Sequence, residues 1–144
     1  MRPVDDPVVI VTTRLNRVLE IDADERVAWV EPGVLNLDLK ERLAPLGLTF
    51  APDPASEACS TVGGNVATNS GGPHTLKYGV TVNHTLGVEA VMADGTICQF
   101  GGVSEDTPGL DLTGTLVGSE GTLGVMTEIS LRIYPLPEAV SAAI

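Results

Sequence analysis

Glycine is distributed unevenly along this chain of 144 residues. Fourteen of the sixteen glycines lie between Gly63 and Gly124, and seven of these fall in two clusters, residues 63–72 and residues 118–124. Glycine adopts backbone angles closed to other residues and lets a backbone approach another surface closely. The second half of the chain is therefore predicted to contain tight turns, or a surface where backbone meets a ligand.

The first third of the chain predicts strands and one helix. Residues 8–11, 18–21 and 27–31 are β-branched segments separated by polar turns, a spacing typical of strands paired in sequence. Leucines then recur every four residues from Leu35 to Leu43, which predicts a short amphipathic helix with Asn36 able to cap it.

The second half predicts a hairpin and a long strand. Residues 86–92 and 97–100 flank Asp94-Gly95, a dipeptide typical of a two-residue hairpin turn. Residues 124–133 have alternating apolar positions and predict one long strand. Together these segments predict an α+β fold with a mostly antiparallel sheet flanked by helices.

Composition excludes several classes of function. Eight basic residues against nineteen acidic ones give a net charge of −11, which disfavours binding to nucleic acid or to anionic membranes. No apolar run approaches the roughly 20 residues of a membrane span.

Cys59 and Cys98 are expected to be free thiols of a cytoplasmic protein. Neither pairs with His74 or His84 at metal-ligand spacing, so no metal site is predicted.

The first glycine cluster follows a candidate helix cap. Ser60 or Thr61 can cap a helix whose small first residues would leave backbone N–H groups facing a ligand. Such a helix terminus suits a phosphate. A structural turn into a tightly packed helix explains Gly63 and Gly64 equally well. A nearby cation, Lys77, would complement phosphate, although a surface lysine and a hydrogen-bonded His74 are the simpler interpretations.

The second glycine cluster, residues 118–124, directly precedes the long strand. Glycines here would let the backbone lie against a flat ring, with Glu120 and Thr122 offering polar contacts. A turn of left-handed residues is the alternative. Two clusters beside one sheet are better evidence for a single extended ligand than either cluster alone.

These motifs occur together, and in this order, in a known family. The chain resembles the FAD-linked oxidases of the vanillyl-alcohol-oxidase type, closest within it to oxidases and dehydrogenases of glycolate, D-lactate and D-2-hydroxyglutarate. The resemblance extends from about residue 14 to residue 135 and rests on the segments Pro52-Asp53-Pro54, Ser60-Thr61-Val62-Gly63-Gly64-Asn65, Asn69-Ser70-Gly71-Gly72, Lys77-Tyr78-Gly79 and Gly118-Ser119-Glu120-Gly121-Thr122-Leu123-Gly124.

The resemblance implies a cofactor, FAD, held by this chain. It implies that the chain is the second subdomain of a PCMH-type FAD-binding domain. One group of residues would lie along the isoalloxazine and pyrophosphate, with neighbours close by: Pro52, Asp53, Ser56, Thr61, Gly63, Gly64 and Asn65, then Thr68, Asn69 and Gly72. A second group would approach the adenosine: Glu120, Gly121, Gly124 and Val125.

The chain also departs from the family pattern. Nothing in residues 1–13 matches the Pro-Arg-Gly-x-Gly-Thr type loop that wraps the pyrophosphate in family members. The substrate-binding cap domain and its catalytic histidine are missing too, and neither His74 nor His84 matches that histidine. Residues 1–144 are therefore expected to be a partial FAD-binding domain with no catalytic residue of its own.

Three hypotheses for function follow. The first is the FAD-binding portion of an enzyme that oxidises a small 2-hydroxy acid such as glycolate or D-lactate. The second is a non-catalytic module that associates with itself or with a partner subunit through the face its missing subdomain would cover. The third is a domain whose glycine loops are only structural. If Gly63 and Gly64 contact the cofactor, replacing either by valine should abolish flavin binding and leave the fold intact.

Overall fold

The computed structural model describes residues 8–103 and 109–139. The strands are β1 (Val18–Asp22), β2 (Val27–Val30), β3 (Leu48–Thr49), β4 (Thr85–Val91), β5 (Ile97–Gly101), β6 (Val125–Arg132) and β7 (Tyr134–Pro135). The α-helices are α1 (Asn36–Leu43), α2 (Val62–Thr68), α3 (Thr75–Tyr78) and α4 (Leu112–Leu116). Two short 3-10 helices span Ala44–Leu46 and Thr81–His84.

Five of the strands form one antiparallel sheet in the order β1-β2-β6-β4-β5. The strands β3 and β7 pair separately, also antiparallel. The predicted α+β class with a mostly antiparallel sheet is confirmed, and β1 and β2 pair in sequence as expected. The last long strand, β6, lies between β2 and β4 at the centre of the sheet.

The hydrophobic core lies on one face of this sheet. The register places Ala28 of β2 opposite Leu131 of β6, and Val88 of β4 opposite Ile129 of β6. Because alternate residues of a strand share a face, these side chains form one apolar layer. The buried helix residues that complete this core are Leu39, Leu43, Val62, Val66 and Leu116. The helices therefore cover the sheet and are held to it by burial of aliphatic side chains.

The predicted hairpin is present with a longer loop than expected. Strands β4 and β5 pair out to Val91 and Ile97. Met92 N–H donates to the Thr96 carbonyl, and Gly95 N–H donates to the Met92 carbonyl, each at 2.9 Å. Gly95 has a φ of 84°. The turn thus places Ala93 and Asp94 at its centre and uses Gly95 as the left-handed residue that follows.

Two expectations for the first third of the chain are wrong. Residues 8–11 form no strand, no strand of the described chain pairs with them, and their side chains are exposed. Asn36 does not cap α1, since the cap residue is Leu35 and no side chain caps the helix. Asn36 is instead fully buried, and its amide donates to the Pro52 carbonyl at 3.1 Å.

The buried carboxylate of Glu31 connects the end of β2 to Arg17 through hydrogen bonds. Glu31 is 4% exposed and accepts hydrogen bonds from the backbone N–H of Arg17 at 2.7 Å and from its guanidinium at 2.7 and 3.1 Å. These hydrogen bonds from Arg17 hold the pKa of Glu31 below its ordinary value. The buried charge is therefore paired, and it ties the end of β2 to the residue that precedes β1.

Candidate functional site

The first glycine cluster is the start of helix α2. Thr61 is the N-cap, and its hydroxyl oxygen accepts a hydrogen bond from Gly64 N–H at 3.1 Å. The helix ends at Asn69, which takes the left-handed conformation with a φ of 49°. Of the two candidate caps in the sequence, the structure selects Thr61.

The first N–H groups of α2 already have partners inside the protein. Val62 N–H donates to the Val34 carbonyl and Gly63 N–H donates to the Pro32 carbonyl, each at 2.8 Å, while Gly64 N–H is taken by Thr61. Of the two interpretations that the sequence leaves open, these contacts support the structural turn into a packed helix, and not donors that face a phosphate. The segment that follows β2 occupies the position that an anion would need.

The second glycine cluster lies against α2. Gly118 N–H donates to the Val66 carbonyl and Glu120 N–H donates to the Ala67 carbonyl, each at 2.8 Å. Glu120 and Gly121 have φ values of 52° and 74°, so the chain turns sharply here before entering β6. These hydrogen bonds bring the two glycine clusters together, although residues 73–117 separate them in the sequence.

Residues of both clusters line one open cleft of about 510 Å³. Seven of the fourteen predicted cofactor residues line this cleft: Thr61, Gly63, Gly64, Glu120, Gly121, Gly124 and Val125. Its other lining residues include Val8, Val9 and Ile10, which sequence reasoning assigned to a strand, and Pro32, which it treated as a strand terminator. Only the fold brings these residues to the cleft, because no local sequence pattern links them to the glycines.

The glycines of the cleft differ in the space around them. A Cβ atom at Gly63 would lie 2.5 Å from the Cβ of Pro32, so Gly63 is required for packing. A Cβ at Gly64 would meet only the Thr61 hydroxyl, at 3.1 Å, and one at Gly121 would meet nothing within 4 Å. Gly64 and Gly121 therefore leave open backbone surface in the cleft.

The other seven predicted residues do not line this cleft: Pro52, Asp53, Ser56, Asn65, Thr68, Asn69 and Gly72. Asn65 is buried, donates to the Asn36 side-chain oxygen at 3.2 Å and accepts from the Ser70 hydroxyl at 3.3 Å. Asn69 accepts from Val82 N–H at 2.9 Å. Within this chain both asparagines fix the position of α2 and of the loop that follows it.

Asp53 and Gly72 meet beside a second pocket. His74 Nδ1 lies 2.5 Å from an Asp53 carboxylate oxygen, and a Cβ at Gly72 would collide with Asp53. The second pocket, of about 370 Å³, is lined by Lys40, Thr49, Phe50, Ala51, His74, Lys77, Tyr78, Pro137 and Ala139. The structure therefore places seven of the predicted site residues at the glycine-lined cleft, and two of the others, Asp53 and Gly72, next to His74 of the second pocket.

The other histidine, His84, is fully buried. Its ring contacts Phe50 and Tyr134, with centroids 6.2 and 5.4 Å away. Burial lowers the pKa of His84 below its ordinary value, because a charged ring loses hydration there. His84 is therefore a neutral core residue near neutral pH.

Cys59 and Cys98 are free, as the sequence predicts. Residues 8–103 and 109–139 contain no group of three His, Cys, Asp or Glu side chains able to hold a metal ion. Over the same residues, no helix is both long enough and apolar enough to cross a bilayer.

Comparison with known proteins identifies the family. The family model described as FAD binding domain matches residues 2–101, more than half of the chain. The chain belongs to the FAD binding domain family. The resemblance to FAD-linked oxidases and the prediction of FAD as cofactor are thereby confirmed, whereas the individual contact residues remain predictions.

Similar proteins share this domain within longer chains. The chain is 44% identical over 137 residues to the glycolate oxidase subunit GlcD of Bacillus subtilis, covering 94% of this chain and 29% of that protein. It is 40% identical over 138 residues to a D-lactate dehydrogenase of Anaerostipes hadrus, covering 95% and 29%. This FAD binding domain thus spans less than a third of either relative.

A solved structure of alkyldihydroxyacetonephosphate synthase has the same fold. It superposes with a TM-score of 0.76 at 31% identity, covering 88% of this chain and 24% of that one.

The open glycine-lined cleft fits flat, uncharged parts of FAD, since Gly64 and Gly121 present backbone there. Among the described lining residues no side chain is basic, so the cleft offers no cation to a phosphate.

Proposed function

We propose that the chain is the FAD-binding portion of an oxidoreductase that oxidises a 2-hydroxy acid such as glycolate or D-lactate. The observation that carries this proposal is the meeting of both glycine clusters on one cleft in a member of the FAD binding domain family. The reaction class comes from the relatives, which are named as a glycolate oxidase subunit and a D-lactate dehydrogenase. When bound, FAD supplies a hydride acceptor.

The chain's own residues would hold and orient the cofactor. We assign the open surface of Gly64 and Gly121, with the apolar wall of Val125 and Met126, to uncharged parts of FAD. The N–H groups at the start of α2 are already bonded, so we assign the pyrophosphate to groups outside this cleft. Our proposal is that polypeptide outside this sequence supplies those groups and the substrate cap, and that the enzyme is cytoplasmic.

A fluorescence titration of FAD with the purified chain tests the proposal. Saturable quenching at micromolar protein, lost when Gly64 is replaced by valine, supports a cofactor site in the cleft. Unaltered FAD fluorescence at high micromolar protein would show that the described cleft does not hold the cofactor by itself. Wild-type binding by the Gly64→Val variant would place the cofactor elsewhere.

A second candidate is a non-catalytic module that associates through an uncovered face. The observation in its favour is the exposed apolar segment of Val8, Val9, Ile10 and Val11 beside the cleft. The names of the relatives favour the oxidoreductase instead. Light scattering over a range of chain concentrations tests self-association, since a chain that stays monomeric in the absence of FAD lacks such an interface.

A further inference from the structure

The five-stranded sheet has two edge strands, β1 and β5, which differ in their protection against pairing with another chain. An edge strand presents unpaired N–H and C=O groups, and natural proteins commonly protect it with charged side chains, proline or a β-bulge. Strand β1 carries Glu20 and Asp22, and its register with β2 shifts between Val18 and Glu20. The β1 edge is therefore protected by charge and by an irregular register.

Strand β5 has none of these features. Residues 95–103 contain no charged side chain and no proline, in a chain whose net charge is −11. The register of β5 with β4 runs without a shift from Ile97 to Gly101. The Ile97 side chain is 64% exposed, and no strand of the described residues pairs with the outer edge of β5. A second acidic copy that approaches this edge therefore meets no like charge on the strand itself.

The hairpin register shows which backbone groups of β5 point outwards. Met92 N–H donates to the Thr96 carbonyl at 2.9 Å, which marks these two residues as a hydrogen-bonded pair. Hydrogen-bonded and non-hydrogen-bonded pairs alternate along an antiparallel ladder, so Cys98 is bonded to β4 whereas its two neighbours are not. The N–H and C=O groups of Ile97 and Gln99 consequently point away from β4.

We infer that the chain forms a weak two-fold dimer in which β5 pairs antiparallel with β5 of a second copy. A two-fold axis at Cys98 places Ile97 of one copy opposite Gln99 of the other, and the outward groups of these residues exchange N–H···O=C hydrogen bonds in both directions. A register centred on Gln99 would need Gly101, whose φ of 70° lies outside the extended region. One short strand per copy makes a small interface, so the dimer dissociates on dilution.

This register brings the Cys98 thiols of the two copies together. Cys98 lies opposite Cys98 of the second copy at a non-hydrogen-bonded position, where Cα atoms are about 4.5 Å apart and a disulfide can form without backbone movement. Cys98 is a partly buried free thiol, whereas the free thiol of Cys59 is exposed. Cross-linking through Cys59 therefore reports random collisions, and cross-linking through Cys98 reports the dimer. Residues 97–101 do not line the glycine-lined cleft, so this pairing is independent of the proposed function.

Oxidation of the purified chain with diamide tests the inference. Two thiols transfer two electrons and two protons to diamide, and one S–S bond forms between copies. The Cys59→Ser variant keeps Cys98, and the Cys98→Ser variant keeps the more exposed thiol. Cys59→Ser should give disulfide-linked dimer about tenfold faster or more, because pairing raises the effective concentration of one Cys98 thiol at the other.

A second pair of variants, made in the Cys59→Ser chain, tests the backbone register. Gln99→Pro removes an outward N–H group but no hydrogen bond to β4, and proline is tolerated at such edge positions. Gln99→Ala removes the same side chain and keeps the N–H. Gln99→Pro should slow cross-linking by about fivefold or more, because interchain hydrogen bonds are lost, whereas Gln99→Ala should change it less than about twofold. Circular dichroism shows whether both variants are folded.

The inference fails on any of three results. One is disulfide-linked dimer that forms as fast through Cys59 as through Cys98. Another is an equal cross-linking rate for folded Gln99→Pro and Gln99→Ala chains. The third is loss of Cys98 cross-linking in a Val9→Asp variant, which would move the interface to the exposed apolar segment beside the cleft. If Gln99→Pro does not fold, the comparison of the two cysteine variants still decides the matter.

Discussion

Gly63 and Gly64 are adjacent in the sequence but have different surroundings. Gly63 is buried under Pro32, whose Cβ would lie 2.5 Å from an added side-chain carbon. Gly64 is exposed in the cleft and would contact only the Thr61 hydroxyl. The two glycines look equivalent in the sequence. Only the contact with Pro32, which is 31 positions earlier in the chain, shows that Gly63 is the structural one.

Alanine at these two positions should therefore have different effects. Gly63→Ala should lower the free energy of unfolding by about 1–3 kcal/mol, because the added methyl group overpacks a rigid contact. Gly64→Ala should change it by less than about 1 kcal/mol and should weaken FAD binding. Urea unfolding and flavin fluorescence measure the two effects. Equal stability losses would contradict the assignment of separate roles, and so would an FAD affinity unaffected by Gly64→Ala.

The buried ring of His84 should make stability depend on pH. Its pKa is lower in the folded protein than in the unfolded chain, so the unfolded chain binds the proton more readily. Stability is complete above the unfolded pKa, about 6.5, and is lost as the pH falls from there towards the lower folded pKa. We expect His84→Leu to flatten this loss in urea unfolding between about pH 5 and 7. His74→Leu is the matched control, and an unchanged slope in His84→Leu would refute the prediction.

At the scale of elements, α2 depends on its first residues. Thr61 caps the helix through Gly64 N–H, and α2 is only seven residues long, so each terminal hydrogen bond matters. Thr61→Ala should cost about 1 kcal/mol of stability, and Thr61→Ser should cost much less because the hydroxyl is kept. Thermal unfolding followed by circular dichroism measures both variants. A serine variant as unstable as the alanine variant would show that the hydroxyl is not the stabilising group.

The elements differ in how far the sequence predicts them. Local sequence patterns predict strands β4, β5 and β6. The Asp94-Gly95 dipeptide also locates the hairpin between β4 and β5. Residues 8–11 have the same pattern but no partner among the described strands, because strand formation requires a pairing edge as well as propensity. For a similar reason the sequence leaves two interpretations open for the donors at the start of α2, since their partners Pro32 and Val34 are distant in sequence.

At the scale of the whole molecule, cofactor binding and folding should be coupled. The cleft is built from α2, from the loop before β6 and from residues 8–12, so a ligand there contacts only the folded chain. Free FAD at about 100 times its Kd should stabilise the protein by about 2.7 kcal/mol and raise Tm by roughly 5 to 10 °C. Differential scanning fluorimetry of an intrinsic probe measures the shift. Adenosine monophosphate is the control, and an equal shift with it would exclude a contribution from the flavin half.

The order of strands in the sheet has a consequence for how the protein is made. Strand β2 pairs on one side with β1, its near neighbour, and on the other with β6, about 100 residues later. At about 5–20 residues per second, a ribosome needs roughly 5 to 20 seconds to add that length. During that interval the edge of β2 that pairs with β6 has no native partner. The newly made hairpin of β1 and β2 therefore presents an unpaired strand edge until β6 is synthesised.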